Sequence, residues 1–532
     1  MSVERNVVTE ALSVTDDTHS DYPITLRVRH KAEPSNHQSE TEVNGFHNHK
    51  RHGLNGAPKG VNGEQPAGRD EVIRAKYVIG CDGAHSWTRQ QVGLTLEGEQ
   101  SDHIWGVIDI VPLTDFPDIR QSCAIHSAEH GSIMTVPREG RLVRFYVQLA
   151  DLKAASKNER FDTSDIKEDA LIGAARKILH PYKLDYKVCD WWSVYRIGQR
   201  VAPKFSFKDR VFLAGDAVHT HSPKMGQGMN VSMQDTYNLT WKVCSVLAGH
   251  TKPQILETYQ DERHAVACEL ISVDKQFAQF YSRKMDPNAS DEDIRKDNQS
   301  FRNKFYDFLS GVAVEYQPSP LVTSASKSTQ LAKNIKLGRR MPSYRILNQA
   351  EVRPVQLHDL LKSNGHWRVL VFAGDLRDTE QFRRFERLGQ TLASPRSCLH
   401  RYPYRPNNNV DYRISSPPNP GEQHKVEPAS NNLVEVFTIH STPRTEINLL
   451  DLPEVFYGPW DEQLGWDYWK VFVDDEALHE GKEDAYGKLG IDRLRGCLVV
   501  CRPDQHVSYI GELEDTDEVE KFFEGCLVGE KS

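Results

Sequence analysis

The sequence predicts an α/β chain with α+β features, built in two parts. Two short apolar strands, YVIG and VFLAG, each run into an Asp-Gly or Gly-Asp turn with a helix start soon after, the arrangement of open α/β sheets. Between those turns, alternating strands dominate to about Leu149. Beyond a stretch rich in Ser, Pro and Lys at residues 318–345, strands again alternate with helices and end in a hairpin and a last helix. The expected division is residues 1–317, a linker at 318–345, and a smaller α/β domain at 346–532.

In chain order, ITLRVRH (Ile24 to His30) reads as a strand. Residues 31–70 are polar, rich in Gly, Asn and His, and without period, so they read as a disordered insertion within a hairpin. Tyr77 to Gly80 is a short strand, Asp82-Gly83 its turn, and Ser86 a helix start. In RLVRFYVQL, Val143, Phe145, Val147 and Leu149 form an apolar face, and Arg144, Tyr146 and Gln148 the opposite one. Helical period covers Asp165 to Leu179, Asn230 to Leu247, and Pro253 to about Tyr281, with a buried strand at Val211 to Ala214. In the last part, RVLVFAGD, NLVEVFTIH and WKVFVDDE read as strands. GCLVVCRPDQHVSYIG is a hairpin turning at Arg502 to Gln505, and DTDEVEKFFEGCLV a capped helix.

Composition narrows the function classes. With 66 basic against 75 acidic residues, the net charge of −9 argues against nucleic acid as the main partner. No apolar run reaches membrane-spanning length, and MSVERNVVTE lacks the apolar core of a secretory signal. The nine cysteines are scattered, with Cys497 and Cys501 reading as core thiols, so a reducing, cytoplasmic setting is expected. His47, His49 and His52 lie in a low-complexity loop, and His219 and His221 have no evident third ligand, so no metal site is expected.

The chemistry concentrates in RVFLAGDAVHTHSPKMGQGMN. Asp216 follows a strand at its carboxyl end, where a carboxylate can accept hydrogen bonds from a polyhydroxyl chain. Gly226 and Gly228 bare the approach to a helix start, whose N–H groups and positive dipole end suit a polar-edged ring or an anion. Pro223 stiffens the loop between them. Taken alone, either motif is equally a turn or a helix start.

CDGAHSWTR and LAGDAVHTHSPKMGQGMN together resemble the DG and GD motifs of the group A flavoprotein aromatic hydroxylases. The C-terminal part resembles the thioredoxin-like domain of the phenol hydroxylase branch; it contains no redox CxxC, so no disulfide chemistry is expected of it. The resemblance covers nearly all of residues 70–530. It implies an FAD/NAD(P)-binding-type hydroxylase domain, a cytoplasmic homodimer, NADPH as reductant, O2 as oxidant, and hydroxylation of a phenolic substrate ortho to its OH. By the same resemblance Asp216 holds the flavin ribityl hydroxyls, and Gly226, Gln227, Gly228, Met229 and Asn230 meet the isoalloxazine edge. Asp82 and Gly83 border the cofactor, Pro223 lies beside the ring, and Tyr146 and Arg144 lie near the substrate.

The family opens with a strand–GxGxxG–helix unit that grips the FAD pyrophosphate. These 532 residues hold no such unit, so the expectation is an N-terminally truncated form with half the cradle and a weakened hold on FAD. Two rival readings follow. One is a catalytically inactive homologue that binds or dimerises. The other is an active enzyme on a 3-hydroxybenzoate-like substrate, with Arg144 pairing the carboxylate.

Overall fold

The computed structural model describes residues 3–17, 20–31, 69–127, 129–149, 166–222, 225–282, 290–324, 328–404, 432–462 and 465–529. Two compact units emerge: Met1–Met233 with Ala267–Asp297, and Gln234–Val266 with Asn298–Ser532.

The first unit begins with an antiparallel three-stranded sheet of β1 (Val7–Val14), β2 (Ile24–His30) and β3 (Arg69–Ala75). His30 pairs with Arg69, so β2 and β3 flank the expected insertion, most of which lies outside the described residues. The short β4 (Val78–Gly80) leads to α1 (Trp87–Gln91), capped by the Ser86 hydroxyl accepting from Arg89 N at 2.9 Å.

Next come β5 (Glu97–Thr114), β6 (Cys123–Ser127), β7 (Gly131–Pro137), β8 (Val143–Gln148), α2 (Glu168–Leu179) and β9 (Leu184–Val201). With β12 (His219–Thr220) these strands make a six-stranded sheet in the order β12-β9-β5-β8-β7-β6. The alternation read in β8 is present: Val143, Phe145 and Val147 are buried against α2, whose Leu171, Ile172, Ala175 and Ile178 face the sheet. Helix α2 approaches so closely that a Cβ at Gly106 would lie 1.8 Å from Leu171.

Strands β10 (Ser206–Phe207) and β11 (Val211–Leu213) form a second small sheet with β4. Helix α3 (Gly228–Leu247) starts two residues before the expected Asn230, because Gly228 itself enters the helix. The stretch from Pro253 is one 3-10 turn to Glu257, then α4 (Thr258–Ser282).

The second unit takes the later parts of α3 and the start of α4, then α5 (Asp291–Lys304) from Asn298 onward, α6 (Tyr306–Leu309) and α7 (Ser328–Leu331). The segment expected to link, 318–345, is packed instead: Leu321, Leu331, Ile335 and Met341 are buried in its cores. Its Ser and Lys residues hide a sparse set of apolar anchors.

A seven-stranded sheet follows, ordered β14-β13-β17-β16-β15-β18-β19. Its strands are β13 (Arg345–Asn348), β14 (Pro354–Gln356), β15 (Trp367–Gly374), β16 (Val434–His440), β17 (Val471–Val473), β18 (Cys497–Cys501) and β19 (Val507–Gly511). Helices α8 (Leu357–Leu360), α9 (Thr379–Leu392), α10 (Cys398–Arg401), α11 (Ala485–Leu489) and α12 (Thr516–Cys526) complete it. β15 runs parallel to β16 and antiparallel to β18, which is antiparallel to β19. That core, with α9 and α12 on one face and α11 on the other, is thioredoxin-like. Every residue of β15 is buried, as a strand covered on both faces must be. Cys497 and Cys501 are free, buried thiols on β18. The expected cap of α12 is absent, because Asp515 accepts from Glu512 N at 2.8 Å rather than from the helix.

This unit also buries a cluster of charges. Glu262 accepts from Lys242 Nζ at 2.7 Å and from both terminal nitrogens of Arg502 at 2.6 and 3.0 Å. Arg502 also grips Asp504 at 2.6 and 2.9 Å, and Asp504 accepts from Trp241 Nε1 at 3.0 Å. Alongside, Arg263 Nε donates to Asp235 at 2.6 Å. All six ionic side chains are fully or almost fully buried.

Candidate functional site

Strands β4 and β11 are parallel neighbours, with Gly80 opposite Leu213 and Ala214 N donating to Gly80 O at 3.1 Å. Asp82-Gly83 and Gly215-Asp216 therefore leave the sheet at the same end, the carboxyl ends of two adjacent strands. Close packing fixes both exits. A Cβ at Gly80 would lie 2.8 Å from Thr88 on α1. Gly215 adopts φ +63°, and a Cβ there would lie 2.8 Å from Ser232 in the first turns of α3.

The two aspartates, alike in sequence context, differ in state. Asp82 accepts from Ser86 Oγ on one oxygen and from Thr88 N and Oγ1 on the other, at 2.8 and 2.9 Å. Burial pushes its pKa up, but these hydrogen bonds outweigh that and hold it below the usual carboxylate range. Asp82 thus organises its own turn and α1. Asp216 is exposed, and among the described residues its carboxylate has no hydrogen-bond or ion-pair partner. It is the carboxylate open to a ligand.

Arg89 is the residue sequence reasoning left out of the site. Buried at 6% exposure, it donates to Ala84 O at 2.9 Å and to Ala217 O at 2.8 Å. It therefore ties the first turn to the second across 128 residues. An arginine three positions after a helix-capping serine was the available signal, but nothing in sequence marks its distant acceptor.

Gly226 has φ +64° with open space where a Cβ would stand, and Gly83 is equally open. Gly228 begins α3, Gln227 is buried beside it, and Met229 is 70% exposed. Asn230 Nδ2 donates to Gly226 O at 3.4 Å. Pro223 lies outside the described residues. The arrangement offers a free carboxylate, bare backbone and a positive helix end, which together suit a hydroxylated chain joined to a flat, polar-edged ring.

Tyr146 and Arg144 sit on the β8 face opposite α2, both half-buried. Tyr146 lies between Val107 and Met134, and Arg144 between Asp109 and Val136. Arg144 donates through Nε and Nη2 to the buried Asp109, each at 2.7 Å, and its cation lies 5.5 Å from the Trp191 ring. Arg138 also reaches Asp109, at 2.5 Å, and Arg138 in turn meets Glu139 at 2.6 Å. The hydrogen bonds to Asp109 raise the Arg144 pKa, burial opposes them, and a hydrogen bond with Tyr146 adds to the rise. Arg144 is thus already paired. No hydrogen bond or ring contact joins Tyr146 or Arg144 to the Asp216 loop among the described residues. The link is through the sheet, since β12 of that loop pairs with β9 at its edge. Among the described residues no group of three or more His, Cys, Asp or Glu side chains is disposed to hold a metal, and no helix is long and apolar enough to cross a membrane.

Comparison with known proteins agrees with this geometry. Residues 23–274 match the family of FAD binding domains, and residues 314–531 match the phenol hydroxylase C-terminal dimerisation domain. The phenol 2-monooxygenase fsqG of Aspergillus fumigatus is 38% identical over 87% of this chain and 72% of its own length. The 3-hydroxybenzoate 4-monooxygenase of Comamonas testosteroni is also 38% identical, over 87% of this chain and 70% of its own. In fold, the chain is similar to the flavin-dependent monooxygenase PieE in complex with FAD and substrate, with TM-score 0.57 at 16% identity, covering 97% of this chain and 74% of that one. With relatives this similar over most of its length and both domain families matched, the chain belongs to the FAD-dependent aromatic monooxygenases of the phenol hydroxylase branch.

Proposed function

We propose that the protein hydroxylates a phenolic ring ortho to its hydroxyl, with NADPH as reductant and O2 as oxidant, acting as a cytoplasmic homodimer. The carrying observation is Asp216, an exposed carboxylate with no hydrogen-bond or ion-pair partner among the described residues, at a strand end beside a glycine-lined helix start. These residues fit FAD. Asp216 accepts the hydroxyls of the ribityl chain, and the backbone from Gly226 to Asn230 donates to the ring edge at the positive end of α3. Gly83 leaves room at the neighbouring turn, where Asp82 shapes the backbone. Pro223 is assigned to the ring's reacting side by its place in the motif. The flavin supplies the electrons and the activated oxygen; the protein binds, orients and excludes water.

Tyr146 is assigned to the phenolic OH, with Arg144 fixing the tyrosine rather than meeting substrate. The ion cluster favours a phenol over a hydroxybenzoate. Arg138 and Arg144 together carry two positive charges, and Asp109 with Glu139 cancels them, leaving neither arginine spare for a carboxylate. The match of residues 314–531 to a dimerisation domain supports the homodimer, and nine scattered cysteines, with no CxxC among them, suit a reducing compartment. The test is a panel of phenols and hydroxybenzoates assayed for NADPH oxidation, with product analysis. Catechols from simple phenols are expected; turnover confined to carboxylated rings would refute the substrate assignment.

A further inference from the structure

Asp274 lies on α4, fully buried, and no motif marks it. Burying a carboxylate is costly unless donors surround it. Here three do. Gln199 Nε2, from the end of β9, donates to Oδ2 at 2.6 Å. Ser222 donates its backbone N–H to the same oxygen at 3.0 Å and its hydroxyl to Oδ1. Two of the three donors thus come from one residue of the loop that follows β12, where a main-chain and a side-chain donor leave that residue little freedom.

The preceding residue, His221, is partly buried against the start of α3. Its ring atoms lie 3.5 and 3.6 Å from where a Cβ of Gly228 would stand, an ordinary contact distance, so the ring lies directly against the start of the helix. His219 lies behind, its ring centre 6.1 Å from that of His221. Burial lowers the His221 pKa, and His219 adds to this, while Asp274 and Asp216 oppose it. A neutral ring there agrees with the positive end of the helix, which disfavours a cation.

We propose that Asp274 is a positioning residue for the flavin pocket: through Ser222 it clamps the 219–222 loop so that His221 lies on the first residue of α3. This rests on the flavin assignment of the α3 start given above. The clamp itself is a property of the free protein, so the two fail separately.

The test uses the full chain with Asp274→Asn and Ser222→Ala, and Gln199→Leu as the variant that removes a donor without touching the loop. Hydrogen exchange of the peptide containing Ser222 is measured without flavin, and FAD affinity by flavin fluorescence. Asp274→Asn is expected to speed Ser222 exchange and weaken FAD binding, each about tenfold or more, and Ser222→Ala to do so several-fold. Gln199→Leu should change both less than Ser222→Ala does. Reintroducing a carboxylate with Asp274→Glu should recover part of the exchange protection. Unchanged exchange in both Asp274→Asn and Ser222→Ala overturns the clamp, as do equal effects from Gln199→Leu and Ser222→Ala. Should Asp274→Asn fail to fold, Ser222→Ala alone decides. If the parent chain takes up no FAD, the flavin assignment fails, and the exchange data still decide the clamp.

Discussion

Glu262 in the second unit and Asp216 in the first are both carboxylates, each a short way from an end of a long helix or strand. Glu262 is buried and held by Lys242 and Arg502, while Asp216 is exposed and held by nothing described. The contrast separates two uses of charge. A buried, saturated carboxylate can do nothing but hold its neighbours, because every lone pair is spent and water is excluded. An exposed, unsaturated one costs the fold little and keeps its acceptors for a ligand.

The largest expected effect comes from breaking the saturated side. Glu262→Gln leaves Lys242 and Arg502 short of countercharge in the interior, which should destabilise the protein by about 3–5 kcal/mol. Denaturant unfolding measures this, and a loss below about 1 kcal/mol would show the cluster to be wetter than its burial indicates. Asp216→Asn should do the reverse. Stability should stay within about 0.5 kcal/mol of the parent, while FAD affinity falls about 10- to 100-fold. Loss of stability with intact FAD binding would erase the distinction between the two carboxylates.

Acid gives a third handle. Burial pushes the Glu262 pKa up, but Arg502 and Lys242 outweigh it and bring it down to about 2, against an ordinary value of 4.5. The folded-state value is the depressed one, so this stabilisation is fully present above about pH 4.5 and is lost as the pH falls towards 2. Up to about 3 kcal/mol is at stake over that window. Glu262→Gln should flatten the corresponding part of the stability–pH curve, and an unchanged slope would assign the acid lability elsewhere. The smallest functional effect is expected of Tyr146→Phe, with stability within about 1 kcal/mol of the parent. FAD should remain bound, while product formed per NADPH drops several-fold. Unchanged coupling would take Tyr146 out of the site.

Much of this layout was legible in the residues. Ser86 announces α1, the alternation of β8 gives its two faces, and the apolar run of β15 marks a doubly covered strand. What stayed hidden depended on distance. Asp82 and Asp216 sit in mirror-image dipeptides, and sequence alone does not show that Ser86 and Thr88 saturate the first. Arg144 reads as a free cation until Asp109, 35 residues away, is seen opposite it. The Asp274 clamp joins positions 52 residues apart and carries no pattern. Strand β1 was missed for a local reason, since a register shift between Thr9 and Ala11 breaks the alternation that would have revealed it.

The Arg89 brace carries a consequence for how the molecule is made. Its two ends are 128 residues apart, and most of the six-stranded sheet and all of α2 lie between them. Closing so long a loop costs entropy that nothing local repays. The β4–β11 pairing should therefore form after the intervening sheet, late on the folding path. During refolding, flavin quenching should rise with the slowest phase. On the ribosome, cofactor capture would wait until α3 has emerged.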